Sequence, residues 1–291
     1  MMFDRVRGCI LGGVIGDAMG GPFEGQPGPL QFQEHTTWTI SDDSQLTLAT
    51  CESISELGHV SPEHIAARFV HWYRARRITG VGASTLKALR DLDAGLHWAL
   101  TGAKGERSAG NGAAMRVAPL AFHLDPAIAG ERQIIRDVCR ITHHSEESYV
   151  GALAIVVAIR SLAFDGVSPS QLPTSVSQQL PDSRVRDRLI ELQQLPNEVS
   201  LAEAGEFGTT GYVADSVPFA LYAARSIERV PFDTLLRNVI EAGGDTDTIA
   251  SMTGQIAGAW LGASSIPQHV IRSLSNAHEI ERVVDQFAAT I

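Results

Sequence analysis

The 291-residue sequence predicts one mostly α-helical domain spanning residues 1–291. Three observations carry that prediction. Apolar residues recur at helical spacing along most of the chain. Strand-like alternation is almost absent, a short extended piece at residues 32–40 excepted. No long low-complexity linker and no clear internal repeat divides the chain, which is long enough to bury one large core.

Taken in order, the first helix is expected at residues 4–19. There Gly8, Gly12 and Gly16, with Gly20 just beyond, fall every fourth residue and share one face. Residues 45–57 form an apolar run opened by the polar cluster Ser41-Asp42-Asp43-Ser44. Helices at 62–75, 82–92 and 114–122 follow, and the polar, glycine- or proline-bearing stretches 20–30 and 100–112 are loops. Further helices are expected at 131–142, 147–164 and 183–195, with loops at 165–174 and 195–210. The last third carries helices at 213–226, 231–242, 248–261 and 267–288. In that third, Ala250, Gly254, Gly258 and Gly262 make a second ridge of small residues. Glycine costs about 1 kcal/mol relative to alanine inside a helix, so two such ridges imply close backbone approach in the core. Inward-facing ridges would make neighbours of Asp17, Glu24 and the turn at 245–248.

A hydrophobic content of 44% with 19% charged residues describes a globular chain rather than a disordered one. The net charge of −10 argues against a general nucleic-acid surface or a basic membrane face. An anionic small ligand would then depend on helix N-termini, a few arginines or bound metal. Cys9, Cys51 and Cys139 show no CxxC spacing, which disfavours zinc and disulfides and fits a reducing cytoplasm. Arg5 and Arg7 before an apolar run imitate a secretory signal, but Asp4, Asp17 and the glycines indicate a mature helix. Residues 249–266 contain Gln255 and are marginal in length for a membrane span, so a soluble protein is expected.

The segment Gly243-Gly244-Asp245-Thr246-Asp247-Thr248 sets two carboxylates and two hydroxyls on a glycine-hinged turn entering an apolar helix. Ser41-Asp42-Asp43-Ser44 stands likewise before the run at 45–57. Oxygen-only donors suit hard cations such as Mg²⁺ or Mn²⁺, not zinc. Asp, Ser and Thr are also favoured N-caps, so either cluster alone has a capping explanation. A cap needs only one of Asp42 and Asp43, which diverge by about 100° on a helix. Asp245 and Asp247 cannot share one helix face, and spare carboxylates repel unless a cation sits between them. A dinuclear metal site closed by the two turns is therefore expected.

Four motifs, in order, resemble those of the ADP-ribosylglycohydrolases. They are Gly8-Cys9-Ile10-Leu11-Gly12 through Gly16-Asp17-Ala18-Met19-Gly20 with Pro22 and Glu24; Ser41-Asp42-Asp43-Ser44-Gln45; Gly110-Asn111-Gly112-Ala113-Ala114-Met115-Arg116; and residues 243–248. Thr142-His143 and residues 212–222 add support, so the resemblance covers nearly the whole chain. It implies an all-α orthogonal bundle whose central cleft holds two Mg²⁺ or Mn²⁺ ions. It also implies hydrolysis of the bond between ADP-ribose and a protein side chain, arginine foremost. By the same resemblance Ser41, Asp42, Asp43, Asp245, Asp247 and Thr248 are metal ligands, and Glu24 is a mobile acid near the reacting ribose. Gly110, Asn111, Gly112 and Ala113 would wrap the ligand, and His143 and Tyr212 would line the cleft. Asp43 or Asp247 would orient the attacking water and Glu24 would transfer protons.

Several of these residues have a second explanation. The loop at 110–113 is a diphosphate cradle or a tight turn into a helix. Asn111 can donate to and accept from ribose hydroxyls, while Arg116 is a phosphate partner, a surface residue or an internal ion-pair partner. His143-His144 lacks the spacing of zinc helices, which leaves packing or ligand contact. Tyr212 stacks on adenine or edges the core. Two departures from the family pattern matter. Ser41 replaces the usual threonine and loses the methyl that restricts χ1, and the stretch from Glu24 to Ser41 is short, which leaves the acceptor open. The alternatives are a serine, nucleobase or small-ester ADP-ribose linkage, or a catalytically idle ADP-ribose-binding or immunity relative.

Overall fold

The computed structural model describes residues 1–105, 108–196 and 198–291, so positions 106, 107 and 197 of two expected loops lie outside the described residues. The first half of the chain forms α1 (Met2–Gly20), α2 (Asp42–Leu57), α3 (Pro62–Arg74), α4 (Ala83–Asp93), the short α5 (Trp98–Thr101), α6 (Ala129–Arg140) and α7 (Glu146–Ala163). It continues through α8 (Leu172–Gln179), α9 (Arg184–Gln193), α10 (Leu201–Ala204), α11 (Val213–Ala224), α12 (Phe232–Glu241) and α13 (Thr246–Leu261). The last two helices are α14 (Gln268–Arg272) and α15 (Ala277–Ala288). Among the described residues there is no β-sheet, only isolated bridges such as Pro27–Gly243 and Trp38–Leu274. The all-α expectation therefore holds.

At the centre α1 and α13 lie antiparallel with their backbones in contact, as the glycine spacing implied. A Cβ added at Gly8 would sit 2.4 Å from the Gly258 carbonyl oxygen, at Gly12 2.2 Å from that of Gly254, and at Gly16 2.1 Å from that of Ala250. Continuing the same register sets Gly20 against Asp247, 2.5 Å from its Cα. Gly262 leaves the ridge: it caps α13 with φ 80° and packs against Asp4. Helices α2, α7, α11, α12 and α15 pack around this pair. The pairing thus carries the last turn of α1 to the first turn of α13, where the acidic residues are.

Four expectations about helices differ from the structure, one being the loop expected at 195–210, in which Ser200 and Glu203 form a capping box that starts the short α10. Residues 114–122 form two 3-10 turns, Ala114–Arg116 and Ala118–Phe122, because Pro119 lacks an N–H and crowds the preceding turn. Residues 267–288 are split: Ser275 N–H donates to the Trp38 carbonyl (2.7 Å) and Asn276 turns left-handed with φ 61° before α15. Helix α8 begins inside the loop expected at 165–174; its Pro173 lies in the first turn, where a missing N–H costs nothing. Among the described residues, no helix is long and apolar enough to cross a membrane.

Candidate metal centre and cleft

Two helix N-termini and one C-terminus meet at the acidic cluster. Ser41 is the N-cap of α2 and accepts from the Asp43 N–H, so the capping and ligand explanations of this segment coexist. Asp17, in the last turn of α1 and fully buried, holds that start in place. It accepts from Ser41 N–H at 3.1 and 3.0 Å, from Ser41 Oγ at 2.7 Å and from Ser44 N–H at 3.1 Å. On α13, Asp245 occupies the N-cap without a side-chain capping bond, and Asp247 follows in the first turn. Gly243 and Gly244 turn the chain into this helix with φ 76° and 85°, and a Cβ on Gly244 would lie 2.1 Å from the Thr209 carbonyl. Only glycine fits there. Thr248 Oγ1 donates to Asp43 Oδ2 at 3.2 Å and ties α13 to α2.

Carboxylate oxygens of Asp17, Asp43 and Asp247 lie within 4.8 Å of one another, and so do those of Glu24, Asp245 and Asp247. Asp247 belongs to both groups. Among the described residues, none of these carboxylates or Asp42 pairs with a lysine or arginine. Asp43 Oδ1 is buried with no hydrogen-bond partner. Helix dipoles at the starts of α2 and α13 favour negative charge, but the C-terminal end of α1 opposes it at Asp17. Burial, then the neighbouring Asp17, pushes Asp42 up to about 8. Burial, then Asp245 and Asp17, pushes Asp247 up to about 9. Asp43 is driven well above the carboxylate range by burial, Asp247 and Asp17. Asp17 and Asp245 are raised by burial, against hydrogen bonds that lower them. An uncompensated, oxygen-only donor set with an orphaned carboxylate oxygen fits a hard divalent cation.

Glu24 stands at the mouth, exposed, its carboxyl raised by burial, Asp245 and Asp17. Its segment is pinned to the acidic turn: Gly25 N–H donates to Gly244 O and Gly244 N–H to Gln26 O, each at 2.8 Å. Phe23 stacks on Phe32 with ring centroids 5.4 Å apart. The first part of the short connection to Ser41 therefore lies on the α12–α13 turn, and its second part pairs through Trp38 with Ser273 and Ser275.

Asp42, Asp43, Asp245, Asp247 and Thr248 line a cavity of about 280 Å³ together with Glu24, Gly110, Asn111, Gly112 and His143. Several residues sit differently from expectation. Asn111 Nδ2 is committed to Asp245 Oδ2 (2.6 Å) and Ser216 Oγ (3.0 Å), which leaves its Oδ1 for other contacts. The loop at 110–113 leads into a 3-10 turn rather than an α-helix, so no α-helical N-terminus is presented there. Ala113 is fully buried, and Tyr212 lines a neighbouring cavity of about 410 Å³ with His144 and Arg184. Arg116 is neither a surface residue nor an ion-pair partner: it is fully buried, bonded to Gly112 O, Val138 O and Thr142 Oγ1, with its guanidinium over Phe69. Asp17 was foreseen only as a neighbour; a lone acid between Gly16 and Gly20 in an apolar helix was the signal for more.

A family model described as ADP-ribosylglycohydrolase matches residues 1–291. Mouse (Mus musculus) "ADP-ribosylhydrolase ARH3" is 27% identical over 95% of this chain and 89% of its own length. "ADP-ribosylarginine hydrolase Tri1" of Pseudomonas putida (strain GB-1) is 25% identical over 97% of this chain and 77% of its own. A solved chain titled "ADP-ribosylglycohydrolase-related protein complex" superposes with a TM-score of 0.79 at 26% identity, covering 99% of this chain and 98% of that one.

Proposed function

The chain belongs to the ADP-ribosylglycohydrolase family of hydrolases, and on that premise we propose that residues 1–291 act as one unit that cleaves the C1″ glycosidic bond between ADP-ribose and a protein arginine. The carrying observation is the buried carboxylate cluster: among the described residues no lysine or arginine forms an ion pair with it, and Asp43 Oδ1 within it has no partner. We assign Ser41, Asp42, Asp43, Asp245, Asp247 and Thr248 to hold two divalent ions, Mg²⁺ or Mn²⁺, with Asp17 fixing Ser41 from behind. When bound, such ions supply the positive charge that polarises ribose hydroxyls and water. Asp247, shared by both carboxylate groups, and Asp43 orient the water that attacks C1″. Glu24, exposed at the mouth with a raised pKa, passes a proton to the departing side chain. Gly110, Gly112 and His143 give the cleft an uncharged lining for a diphosphate, and Asn111, tied to Asp245, joins that lining to the carboxylates. Tyr212, in the neighbouring cavity, is placed to meet the adenine. The three free, buried cysteines are compatible with a cytoplasmic setting.

The test is release of free ADP-ribose from an ADP-ribosyl-arginine protein, with Mg²⁺ and with EDTA. Release that requires metal supports the proposal, and Asp43→Asn should abolish it in a folded protein. Metal binding without release moves the reaction to a serine, nucleobase or ester linkage. Neither binding nor release leaves an idle relative.

A further inference from the structure

Behind the uncharged lining of the cleft, three buried side chains form a chain of hydrogen bonds that ends on the imidazole facing the ligand space. Arg116 and Thr142 are fully buried, and His143 is 4% exposed. Arg116 Nη2 donates to Thr142 Oγ1 at 2.8 Å, and Thr142 Oγ1 lies 2.8 Å from His143 Nδ1. We infer that Arg116 and Thr142 are positioning residues that fix His143 as the tautomer protonated on Nε2, so that it presents a hydrogen-bond donor to an anionic oxygen of the ligand.

The inference follows from counting hydrogens. A guanidinium has donors only, so Thr142 Oγ1 must accept from Arg116. The hydroxyl has one hydrogen, and among the described residues His143 Nδ1 is its remaining partner. Thr142 therefore donates, Nδ1 accepts, and the ring proton belongs on Nε2. The reverse arrangement would leave a buried hydroxyl hydrogen with no acceptor. Nε2 has no partner among the described residues and points toward the cleft. A Cβ on Gly110 would approach it to 3.2 Å, and one on Gly112 would approach Cε1 to 2.9 Å. Side chains at either position would cover the donor. Arg116 also bonds Gly112 O at 3.1 Å through Nε, so one guanidinium sets both the loop and the ring. Burial, then the charge of Arg116, lowers the imidazole to about 3, which keeps the ring neutral at physiological pH. His143 is thus a donor that cannot serve as a base at Nε2. Such a group discriminates in favour of an acceptor, a phosphate or carbonyl oxygen, over a hydroxyl that must donate.

The tautomer depends on contacts within the chain alone, whereas its effect on affinity rests on the proposed ADP-ribose ligand. The test uses the Mg²⁺-loaded, ¹⁵N-histidine-labelled protein. Its ring signals are read by long-range proton–nitrogen correlation, with His143 identified by the peak lost in His143→Gln, and ADP-ribose affinity is measured by calorimetry. The wild type should show a neutral His143 ring protonated on Nε2 across the neutral range. Thr142→Ser keeps the hydroxyl and should keep both tautomer and affinity. Thr142→Val removes it and should give mixed tautomers with affinity lowered about tenfold, the scale of one charge-assisted hydrogen bond. A wild-type ring protonated on Nδ1 overturns the inference, and so does a Thr142→Val protein that keeps the wild-type tautomer. A changed tautomer at unchanged affinity overturns the donor role toward the ligand. The expected tautomer in a wild type that does not bind ADP-ribose supports the relay and removes the ligand assignment instead.

Discussion

Gly12→Ala tests whether backbone contact between α1 and α13 builds the acidic site. The new Cβ would lie 2.2 Å from the Gly254 carbonyl oxygen and 2.9 Å from its carbon. Carbon–oxygen contacts settle at about 3.3 Å, so the overlap is about 1 Å. Both partners are backbone in buried helices, and no side chain can turn aside. Helix α1 must retreat, and Gly8 and Gly16, equally close to α13, must follow. A gap approaching 1 Å forfeits a quarter to a half of the attraction between facing atoms. Overpacking of this kind costs about 3 kcal/mol, the upper end of its usual range, and the helix propensity of alanine returns about 1 kcal/mol. The net loss of about 2 kcal/mol corresponds to a melting temperature lower by about 4 °C in a domain of this size. Gly21→Ala is the control. Its backbone is helical (φ −50°), and nothing lies within 4 Å of an added Cβ, so it should unfold at the wild-type temperature or slightly above. The retreat also carries Asp17 away from Asp247, so the stabilisation gained from Mg²⁺ should shrink in Gly12→Ala alone. Thermal unfolding followed by circular dichroism, with EDTA and with Mg²⁺, reads both effects. A Gly12→Ala protein that melts at or above the wild-type temperature would refute the reasoning.

Three further outcomes follow from the cluster. Asp42 and Asp247 titrate in the fold at about 8 and about 9, against 3.8 for a free aspartate. Folding without metal therefore takes up protons: the associated stability is fully present below the free value and is lost as pH rises through 8 to 9. Melting temperature in EDTA should fall from about pH 6 to about pH 9, and saturating Mg²⁺ should flatten that slope; an EDTA profile rising over the interval would contradict the assignment. Ser41→Ala removes both the cap of α2 and the bond to Asp17, at a cost of about 1 kcal/mol, and should weaken Mg²⁺ binding. Ser41→Thr, which keeps the oxygen, should bind Mg²⁺ at least as well by calorimetry. Glu24→Gln should retain Mg²⁺ affinity while ADP-ribose release slows by about a hundredfold or more, and full turnover in this variant would end the proton-transfer role.

The parts of the fold that were legible rest on local rules. Glycine at every fourth position makes a face without side chains, so close backbone approach in the core could be read from spacing, and the structure realises it as the pairing of α1 with α13. Gly243-Gly244 announced a turn for the same reason, and both residues adopt positive φ. What escaped depends on where distant segments land. The partners of Asp17 are Ser41 and Ser44, beyond a connection whose path is set by Phe23 on Phe32 and by the contact with Gly244. No local pattern encodes that route. Arg116 could be read as a phosphate partner, a surface residue or an ion-pair partner, because its carbonyl acceptor at Val138 and its hydroxyl partner Thr142 lie far along the chain. Proline misled in both directions: Pro173 sits harmlessly in a first turn, whereas Pro119 breaks a run whose periodicity looked helical.

The distribution of cations sharpens the case for an external counter-charge. Arg116 lies close enough for Asp42 to act on its pKa, yet its hydrogen bonds go to two carbonyls and a hydroxyl. The other arginines that pair with acids do so outside the cluster, as Arg7 does with Asp285 and Arg77 with Glu279. A chain selected only for stability would pair or replace buried carboxylates, because each unpaired one is costly in a dry interior. Here the carboxylates share one cavity with glycines and one imidazole that carry no charge, and Asn111 joins the two by donating to Asp245. The cleft thus combines carboxylates that demand a cation with an uncharged lining that offers donors to an anion. A ligand bridging them needs hydroxyls or other neutral oxygens at one end and negative charge at the other, which a ribose attached to a diphosphate provides.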